Sequence, residues 1–200
     1  MKRKALKLVV VGDCSCGKTS LIVAQASGAF GEQYTPTAFD DFVVEALVNG
    51  KTEMLVVCDT AGSEDFSSLR PLSYPDADVF IICYSVDQID SLRSIREKWI
   101  PEVKHFCPNT PIIIVGNKKD IRPTSLPNSP NSSPITDCID IAEAESLAKE
   151  YTSFQVIECS AKQKENVRTV FEAAIRAAIA YRNRRKNKVI QQLMKLRLVF

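Results

Sequence analysis

The 200-residue sequence has little of what marks a membrane or secreted protein. No apolar run approaches the roughly 18 residues that cross a bilayer, and no apolar leader core follows the basic start Met1–Lys4. Lys2 stands where N-myristoylation requires glycine, so we expect no acyl group there. The only histidine, His105, has no nucleophile motif beside it, which argues against histidine-based catalysis.

Cysteine is present, but not in the pattern of a disulfide framework or a zinc site. The number of cysteines is seven, which is odd, and Cys58, Cys83 and Cys159 lie in apolar runs where a thiol packs as a small hydrophobe. Cys14 and Cys16 have no second pair at zinc spacing. We therefore expect free thiols in a reducing, cytoplasmic compartment.

The chain alternates between strand-like and helix-like segments. Apolar runs predict strands at 8–11, 42–48, 53–58, 79–84, 112–115 and 155–159, and helical spacing predicts helices at 20–26, 91–106, 141–150 and 166–182. Pro101 should kink or restart the helix predicted over 91–106. Asn49-Gly50 indicates an antiparallel hairpin. The prediction is an α/β fold: a six-stranded, mostly parallel sheet with one antiparallel edge hairpin and helices on both faces.

The stretch 12–19, GDCSCGKT, fits the phosphate-binding pattern G-x-x-x-x-G-K-[ST]. It follows a predicted strand and precedes a predicted helix, a context that disfavours an ordinary glycine-containing turn. Backbone N–H groups and the helix N-terminus would bind phosphates, Lys18 would reach the β- and γ-phosphates, and the Thr19 hydroxyl would ligate Mg²⁺. The predicted contacts are Gly12, Asp13, Ser15, Cys16, Gly17, Lys18, Thr19 and Ser20.

Three further motifs, each after a predicted strand, narrow the nucleotide to GTP or GDP. In DTAG, Asp59 would hold Mg²⁺ in its outer shell and the Gly62 N–H would approach the γ-phosphate. In NKKD, Asp120 can accept hydrogen bonds from guanine N1–H and the exocyclic amine, a donor pair that adenine lacks. In SAK, a backbone N–H can donate to guanine O6. The predicted base contacts are Asn117, Lys118, Asp120, Ser160, Ala161 and Lys162.

Each of these motifs is less specific alone than in combination. NKKD by itself could be a surface turn, and a P-loop by itself is also found in ATPases and kinases. All four motifs, however, end strands, and the carboxyl ends of the strands form the ligand crevice of a doubly wound sheet. The combination therefore favours guanine over adenine nucleotides.

On these motifs the chain resembles the Ras superfamily of small GTPases from about Lys7 to Ile179, and within it the Rho family. The narrower resemblance rests on DTAGSED at 59–65, LRPLSY at 69–74 and GNKKDIR at 116–122. A Pro-, Ser- and Asn-rich segment after Arg122 is similar in position to the Rho insert. The resemblance implies the Ras-like P-loop NTPase fold.

The resemblance also implies roles that the patterns alone do not assign. Phe30 would pack on guanine, and Tyr34 and Thr37 would belong to the first switch, with Thr37 sensing Mg²⁺ and the γ-phosphate. Thr35–Phe42 and the second switch, Ala61–Tyr74, would bind effectors. Exchange factors and GDP-dissociation inhibitors would be further partners, and we expect a monomer without a nucleic-acid partner. The implied metal set is Thr19, Thr37 and Asp59.

Two positions depart from the family pattern, which has Gly where this chain has Cys14 and Gln where it has Ser63. The glutamine orients the attacking water, and serine is too short to do so. The Cys14 side chain should also obstruct an arginine finger from an activating protein. We expect slow hydrolysis, as in the GTPase-deficient Rho members of the Rnd and RhoH types. The alternative is that both residues are tolerated and turnover is ordinary.

Two functional hypotheses remain open on the sequence. The first is a signalling switch that recruits effectors, by resemblance in actin, cell-shape or polarity control. The second is a constitutively GTP-bound binding module regulated by abundance or modification.

The last 19 residues differ in composition from the rest of the chain. From Arg182 to Phe200 there are seven basic residues and no acidic one, with apolar residues at helical spacing. Such a segment can contact an anionic membrane; a solvated tail or a nuclear-import signal are the alternatives. No cysteine follows Cys159, so we expect no C-a-a-X prenylation.

We divide the chain into a G domain, 1–181, with an insert at about 122–140, and a basic amphipathic tail, 182–200. The expected location is cytoplasmic, or peripheral at the inner face of the plasma membrane.

Overall fold

A computed structural model of the chain describes residues 5–26, 39–48, 50–122, 138–151 and 155–197. Among these residues, six strands form one sheet in the spatial order β2-β3-β1-β4-β5-β6. The strands are β1 Leu6–Gly12, β2 Phe39–Val48, β3 Lys51–Thr60, β4 Val79–Ser85, β5 Ile112–Asn117 and β6 Gln155–Glu158. The pair β2–β3 is antiparallel and the other neighbours are parallel. The predicted six-stranded sheet with one antiparallel edge hairpin is confirmed.

The β2–β3 hairpin is antiparallel, as Asn49-Gly50 predicts. Val48 pairs with Lys51 next to the turn, and Phe39 pairs with Thr60 at the far end. Gly50 in the turn has φ +73°, a left-handed conformation that glycine adopts without a steric penalty. The turn therefore connects β2, at the edge of the sheet, to β3, which lies beside β1.

Helices cover both faces of the sheet. They are α1 Lys18–Ala26, α2 Ile89–Ser94, α3 Ile100–Phe106, α4 Ile141–Glu150 and α5 Val167–Arg197. Successive side chains of β1 point to opposite faces. Leu8 belongs to one apolar core with Phe171 of α5, and Val9 belongs to the other with Ile100 of α3. The three-layer α/β architecture follows from this double burial.

The helix predicted over 91–106 is present, but in three parts. A π-helical turn at Ile95–Trp99 separates α2 from α3. Pro101 lies in the first turn of α3, where its missing N–H breaks no hydrogen bond of that helix. The expectation that Pro101 marks a restart is therefore correct in position, while the π turn was not predicted.

The last helix is longer than predicted. It was expected to end at about Arg182, whereas α5 continues to Arg197. No glycine or proline occurs between Val167 and Arg197, and the segment is rich in Arg, Lys, Gln and Leu, which favour helix. None of the described helices has both the length and the apolar character needed to cross a bilayer.

Asp78, immediately before β4, fixes α5 to the sheet. It accepts hydrogen bonds from the Lys7 backbone N–H at 2.8 Å and from Arg182 Nε at 2.6 Å. The Arg182 guanidinium also donates to the Ala5 carbonyl at 2.6 Å. Because Asp78 is buried, this contact anchors α5 at the point where the helix leaves the apolar core.

Most of the predicted insert lies outside the described residues, but its two ends are described. The Arg122 guanidinium donates to the Ile139 carbonyl and to the Glu158 carboxylate of β6. The ends of the insert are therefore joined to each other and to the strand that precedes the SAK motif.

Candidate functional site

The four motifs meet at one edge of the sheet. They follow β1, β3, β5 and β6, and the carboxyl ends of parallel strands lie on the same side. The topology of the sheet therefore brings the four motif loops next to one another.

The P-loop, residues 12–17, has a backbone that its two glycines make possible. Gly17 has φ +89°, and a Cβ there would lie 2.3 Å from Asn117 Nδ2. Gly12 has φ +143°, and a Cβ would lie 2.2 Å from the Cys83 carbonyl oxygen. Ser15 adopts the left-handed conformation between them, with φ +60°. The loop then enters α1, where the Leu21 N–H donates to the Gly17 carbonyl at 2.9 Å.

Lys18 is buried at the start of α1 and turns back over the loop. Its Nζ donates to the carbonyl oxygens of Gly12 and Asp13 at 2.9 and 2.8 Å. This places an ammonium group against the backbone of a glycine-containing loop, a combination that suits phosphate. Ser20 follows in the first turn of α1 and is partly exposed.

The Thr19 hydroxyl donates to Asp59 Oδ2 at 2.5 Å, which joins α1 to the end of β3. A hydroxyl and a carboxylate are hard oxygen donors of the kind that Mg²⁺ prefers. With Lys18 and the loop amides beside them, these residues fit a nucleotide phosphate with its Mg²⁺.

Gly62 lies directly against the P-loop. A Cβ built on it would be 2.5 Å from the Cys14 nitrogen and 2.6 Å from the Gly12 carbonyl oxygen. Only glycine fits this approach without moving backbone. The DTAG segment is therefore held in contact with the loop that would bind phosphates.

Asn117 connects three of the motifs through its buried side-chain amide. Its Nδ2 donates to the carbonyl oxygens of Gly17 and Cys16 at 3.0 and 3.3 Å. Its Oδ1 accepts from the backbone N–H groups of Lys118 and Ala161 at 2.8 and 3.1 Å. The P-loop, NKKD and SAK segments are thus set relative to one another by one side chain.

The Asp120 carboxylate is also positioned by the SAK segment. Its Oδ1 accepts from the Ser160 hydroxyl at 2.5 Å, and that hydroxyl accepts from the Gln163 N–H at 2.9 Å. The Ala161 N–H donates to Asn117 Oδ1 at 3.1 Å, which places the SAK backbone beside the NKKD segment. The predicted donation of a SAK backbone N–H to guanine O6 stays a prediction. Lys162 is exposed beside it.

Several predicted site residues lie outside the described residues. These are Phe30, Tyr34, Thr35 and Thr37. The first switch and the third predicted Mg²⁺ ligand are therefore not placed. Of the predicted effector segment, the structure describes 39–42, and Phe42 is partly buried against the core.

Ser63 and Cys14, the two atypical positions, are partly exposed and exposed, respectively. The Ser63 hydroxyl donates to Asp65 Oδ2 at 3.0 Å and accepts from the Asp65 N–H at 3.3 Å, so it caps the short helical turn Glu64–Phe66. Cys14 is an exposed free thiol on the P-loop. The Ser63 side chain is thus used within its own turn.

Arg70 was missed by the sequence analysis. It is fully buried, and its Nη1 donates to the carbonyl oxygens of Ala61 and Ser63 at 2.8 and 3.2 Å. Its Nε and Nη2 donate to the Glu102 carboxylate of α3 at 2.9 and 3.0 Å, and Tyr74 donates to the same carboxylate. The second switch is therefore fastened to α3.

The ionisation of this network follows from its burial and pairing. Burial would lower the pKa of Arg70, but the hydrogen bond and charge of Glu102 raise the pKa overall. Burial and the hydrogen bond to Glu102 both raise the pKa of Tyr74. Arg70 stays a cation and Tyr74 stays a neutral donor at physiological pH.

Two buried thiols, Cys16 of the P-loop and Cys83 of β4, lie next to each other. Hydrogen bonding with Cys83 lowers the pKa of Cys16 to about 7, against the opposing effect of burial, and the charge of Lys18 adds to the lowering. The same hydrogen bond, together with burial, raises the pKa of Cys83. Cys16 is thus the first of the pair to ionise.

Trp99 is fully buried in the apolar core beside α3, and it also contacts the P-loop. Its indole N–H donates to Asp13 Oδ1 at 2.7 Å. The π turn that ends at Trp99 has no sequence signature that would have revealed this contact.

A model of the Ras family matches residues 7–180, which is most of the chain. The matched region contains all four motifs and the sheet that brings them together. Proteins of this family bind GTP and GDP, generally with Mg²⁺, in agreement with the donor set described above. The chain belongs to the Ras family and is a GTP-binding small GTPase.

Proposed function

We propose that this small GTPase is of the Rho type, that it hydrolyses GTP slowly and that it recruits effectors in its GTP-bound state. The Rho assignment is supported by DTAGSED, LRPLSY and GNKKDIR at 59–65, 69–74 and 116–122. By the same resemblance the pathway is actin, cell-shape or polarity control, in the cytoplasm.

The nucleotide is assigned to the four motif loops, with the phosphates at the P-loop and the base between NKKD and SAK. Lys18 and the loop amides bind the phosphates, and Asp120 selects guanine. Thr19 and Asp59 hold Mg²⁺, whose charge neutralises the phosphate oxygens when it is bound. The G domain is assigned to residues 1–181 and the basic tail to 182–200.

The observation that carries slow hydrolysis is the position of the Ser63 hydroxyl. It is engaged with Asp65 within its own turn rather than extended toward the phosphate loop. In the Ras superfamily a glutamine here orients the attacking water. The Cys14 thiol is exposed on the P-loop, and the Cys14 backbone nitrogen lies next to Gly62, so a side chain at this position adds an obstacle to an arginine finger.

Single-turnover hydrolysis of GTP by the wild type, S63Q, C14G and the double variant tests this proposal. We expect the wild type to fall below the intrinsic Ras rate of roughly 10⁻⁴ s⁻¹. S63Q should raise the intrinsic rate. When a Rho-activating protein is added, only the double variant should be accelerated by the factor, on the order of 10³–10⁵, that an arginine finger supplies. A wild-type rate that an activating protein accelerates to this extent would contradict the proposal.

A second candidate function is a constitutively GTP-bound binding module. The observation that favours it is the ion pair between Arg70 of the second switch and Glu102 of α3, which holds this segment in one position. Leu69 and Leu72 of the same segment are 45 and 74% exposed and offer an apolar surface to effectors. The nucleotide in freshly purified protein separates the two functions: mostly GTP supports the module, and mostly GDP supports a cycling switch.

For the tail we propose contact with anionic membrane, at the inner face of the plasma membrane. The α5 extension presents Arg184, Arg185, Lys186 and Lys188, all exposed. Each basic residue near such a surface contributes about 1 kcal/mol. Replacing these four by glutamine should abolish co-sedimentation with phosphatidylserine vesicles. Equal co-sedimentation of the variant and the wild type would contradict the tail assignment.

A further inference from the structure

The π-helical turn Ile95–Trp99 lies between α2 and α3, beside the phosphate loops. A π turn inside a helix is uncommon and often marks a functional position. Here its last residue, Trp99, is the only tryptophan of the chain and is fully buried.

The edge of the indole contacts the P-loop. Its N–H donates to Asp13 Oδ1 at 2.7 Å, and the backbone carbonyl of Asp13 accepts from Lys18 Nζ at 2.8 Å. Asp13 is therefore held on its side chain by the π turn and on its backbone by the phosphate-binding lysine. Movement of Trp99 would be passed directly to the residue that orients Lys18.

The ring of the indole contacts two cations. The Arg70 guanidinium carbon lies 4.5 Å and the Lys98 Nζ lies 4.3 Å from the ring centroid. Both distances are within the range of a cation–π interaction, which is strongest when the cation is desolvated, as Arg70 is. Lys98 also pairs with Glu64 of the second switch.

Arg70 extends this contact to the γ-phosphate side of the site. It donates to the carbonyl oxygens of Ala61 and Ser63, which flank Gly62. Gly62 is the residue that packs against the backbone of Gly12 and Cys14. One indole therefore touches both sides of the junction between the P-loop and the second switch.

We propose that Trp99 is a positioning residue that couples the P-loop to the second switch, by holding Asp13 with its N–H and Arg70 with its ring. The coupling keeps the Gly62 N–H aligned with the P-loop amides, so it favours GTP over GDP. The inference rests on the proposed nucleotide site, and it assigns to Trp99 no contact with the nucleotide.

The test compares Trp99→Leu, which loses both contacts, with Trp99→Phe, which keeps a ring over Arg70 but loses the N–H. Affinities for fluorescent GTP and GDP analogues are measured with Mg²⁺ present. We expect W99L to lower the GTP-to-GDP affinity ratio by about tenfold, and W99F to lower it by less. W99F and Asp13→Ala should lower this affinity ratio by the same factor. The double variant W99F/D13A should lower it no further than either single variant.

Val103→Ala is the matched control, because Val103 is fully buried on the same helix one turn beyond Trp99. It should lower the melting temperature while leaving the GTP-to-GDP ratio unchanged. A W99L variant that loses affinity for both nucleotides equally, or for neither, overturns the coupling alone. A wild type that binds neither nucleotide overturns the proposed site, and the coupling with it.

Discussion

Gly62 shows how tightly a single residue is constrained at this site. A Cβ at this position would come within 2.5 to 2.6 Å of three atoms of the P-loop: the Cys14 nitrogen, the Asp13 carbonyl carbon and the Gly12 carbonyl oxygen. These are backbone atoms, so the clash cannot be relieved by turning a side chain. Any residue larger than glycine would therefore move the DTAG segment away from the P-loop.

We predict that Gly62→Ala weakens GTP binding selectively. It should misplace one hydrogen bond to a charged group, which contributes roughly 1.5–3 kcal/mol, or about 10- to 100-fold in affinity. GDP affinity should change much less. Gly50→Ala is the control: a Cβ at Gly50 meets nothing within 4 Å, and the strain of its φ of +73° lies in the hairpin turn, so it should lower stability but not nucleotide affinity. Equal losses for both nucleotides in G62A would contradict the assignment.

At the scale of elements, the contact between the second switch and α3 depends on a buried ion pair. Arg70 is fully buried, while the Glu102 side chain is 17% exposed. The pair is bidentate, with distances of 2.9 and 3.0 Å. Removal of one partner leaves a charge in a poorly solvated place, whereas removal of both does not.

We predict that Arg70→Met lowers the free energy of unfolding by about 3–5 kcal/mol. The double variant R70M/E102L should recover a large part of this loss, because no uncompensated carboxylate remains. Urea unfolding of the GDP-saturated protein measures both. Arg93→Ala breaks an exposed pair with Asp90, at 66 and 87% exposure, and should change stability by less than about 0.5 kcal/mol. A strictly additive double variant would contradict the buried-pair account.

The sequence predicted the elements whose signals are local. Continuous apolar runs located the central strands, Asn49-Gly50 located the hairpin, and four short motifs located the loops at the sheet edge. The contacts of Arg70 with Glu102 and of Trp99 with Asp13 could not be predicted, because they join residues 32 and 86 positions apart. Trp99 also lies at the end of a π turn, which the sequence pattern did not reveal.

At the scale of the whole molecule, the parallel sheet makes one site out of four separate segments. Asn117 bonds to the P-loop and to SAK, and Thr19 bonds to Asp59, so the loops support one another even before a ligand is considered. The opposite end of the molecule is organised by Asp78, which ties Lys7 and Arg182 together. The helix that carries the basic segment is therefore anchored at the end of the sheet away from the nucleotide site.

The central claim is that this sheet edge binds a guanine nucleotide and discriminates against adenine. Calorimetric titration with GTP and with ATP, both in the presence of Mg²⁺, tests it most directly. We predict tight binding of GTP, no measurable binding of ATP, and loss of the discrimination in Asp120→Ala, which removes the carboxylate that Ser160 orients. Equal affinity of the wild type for GTP and ATP would contradict the account.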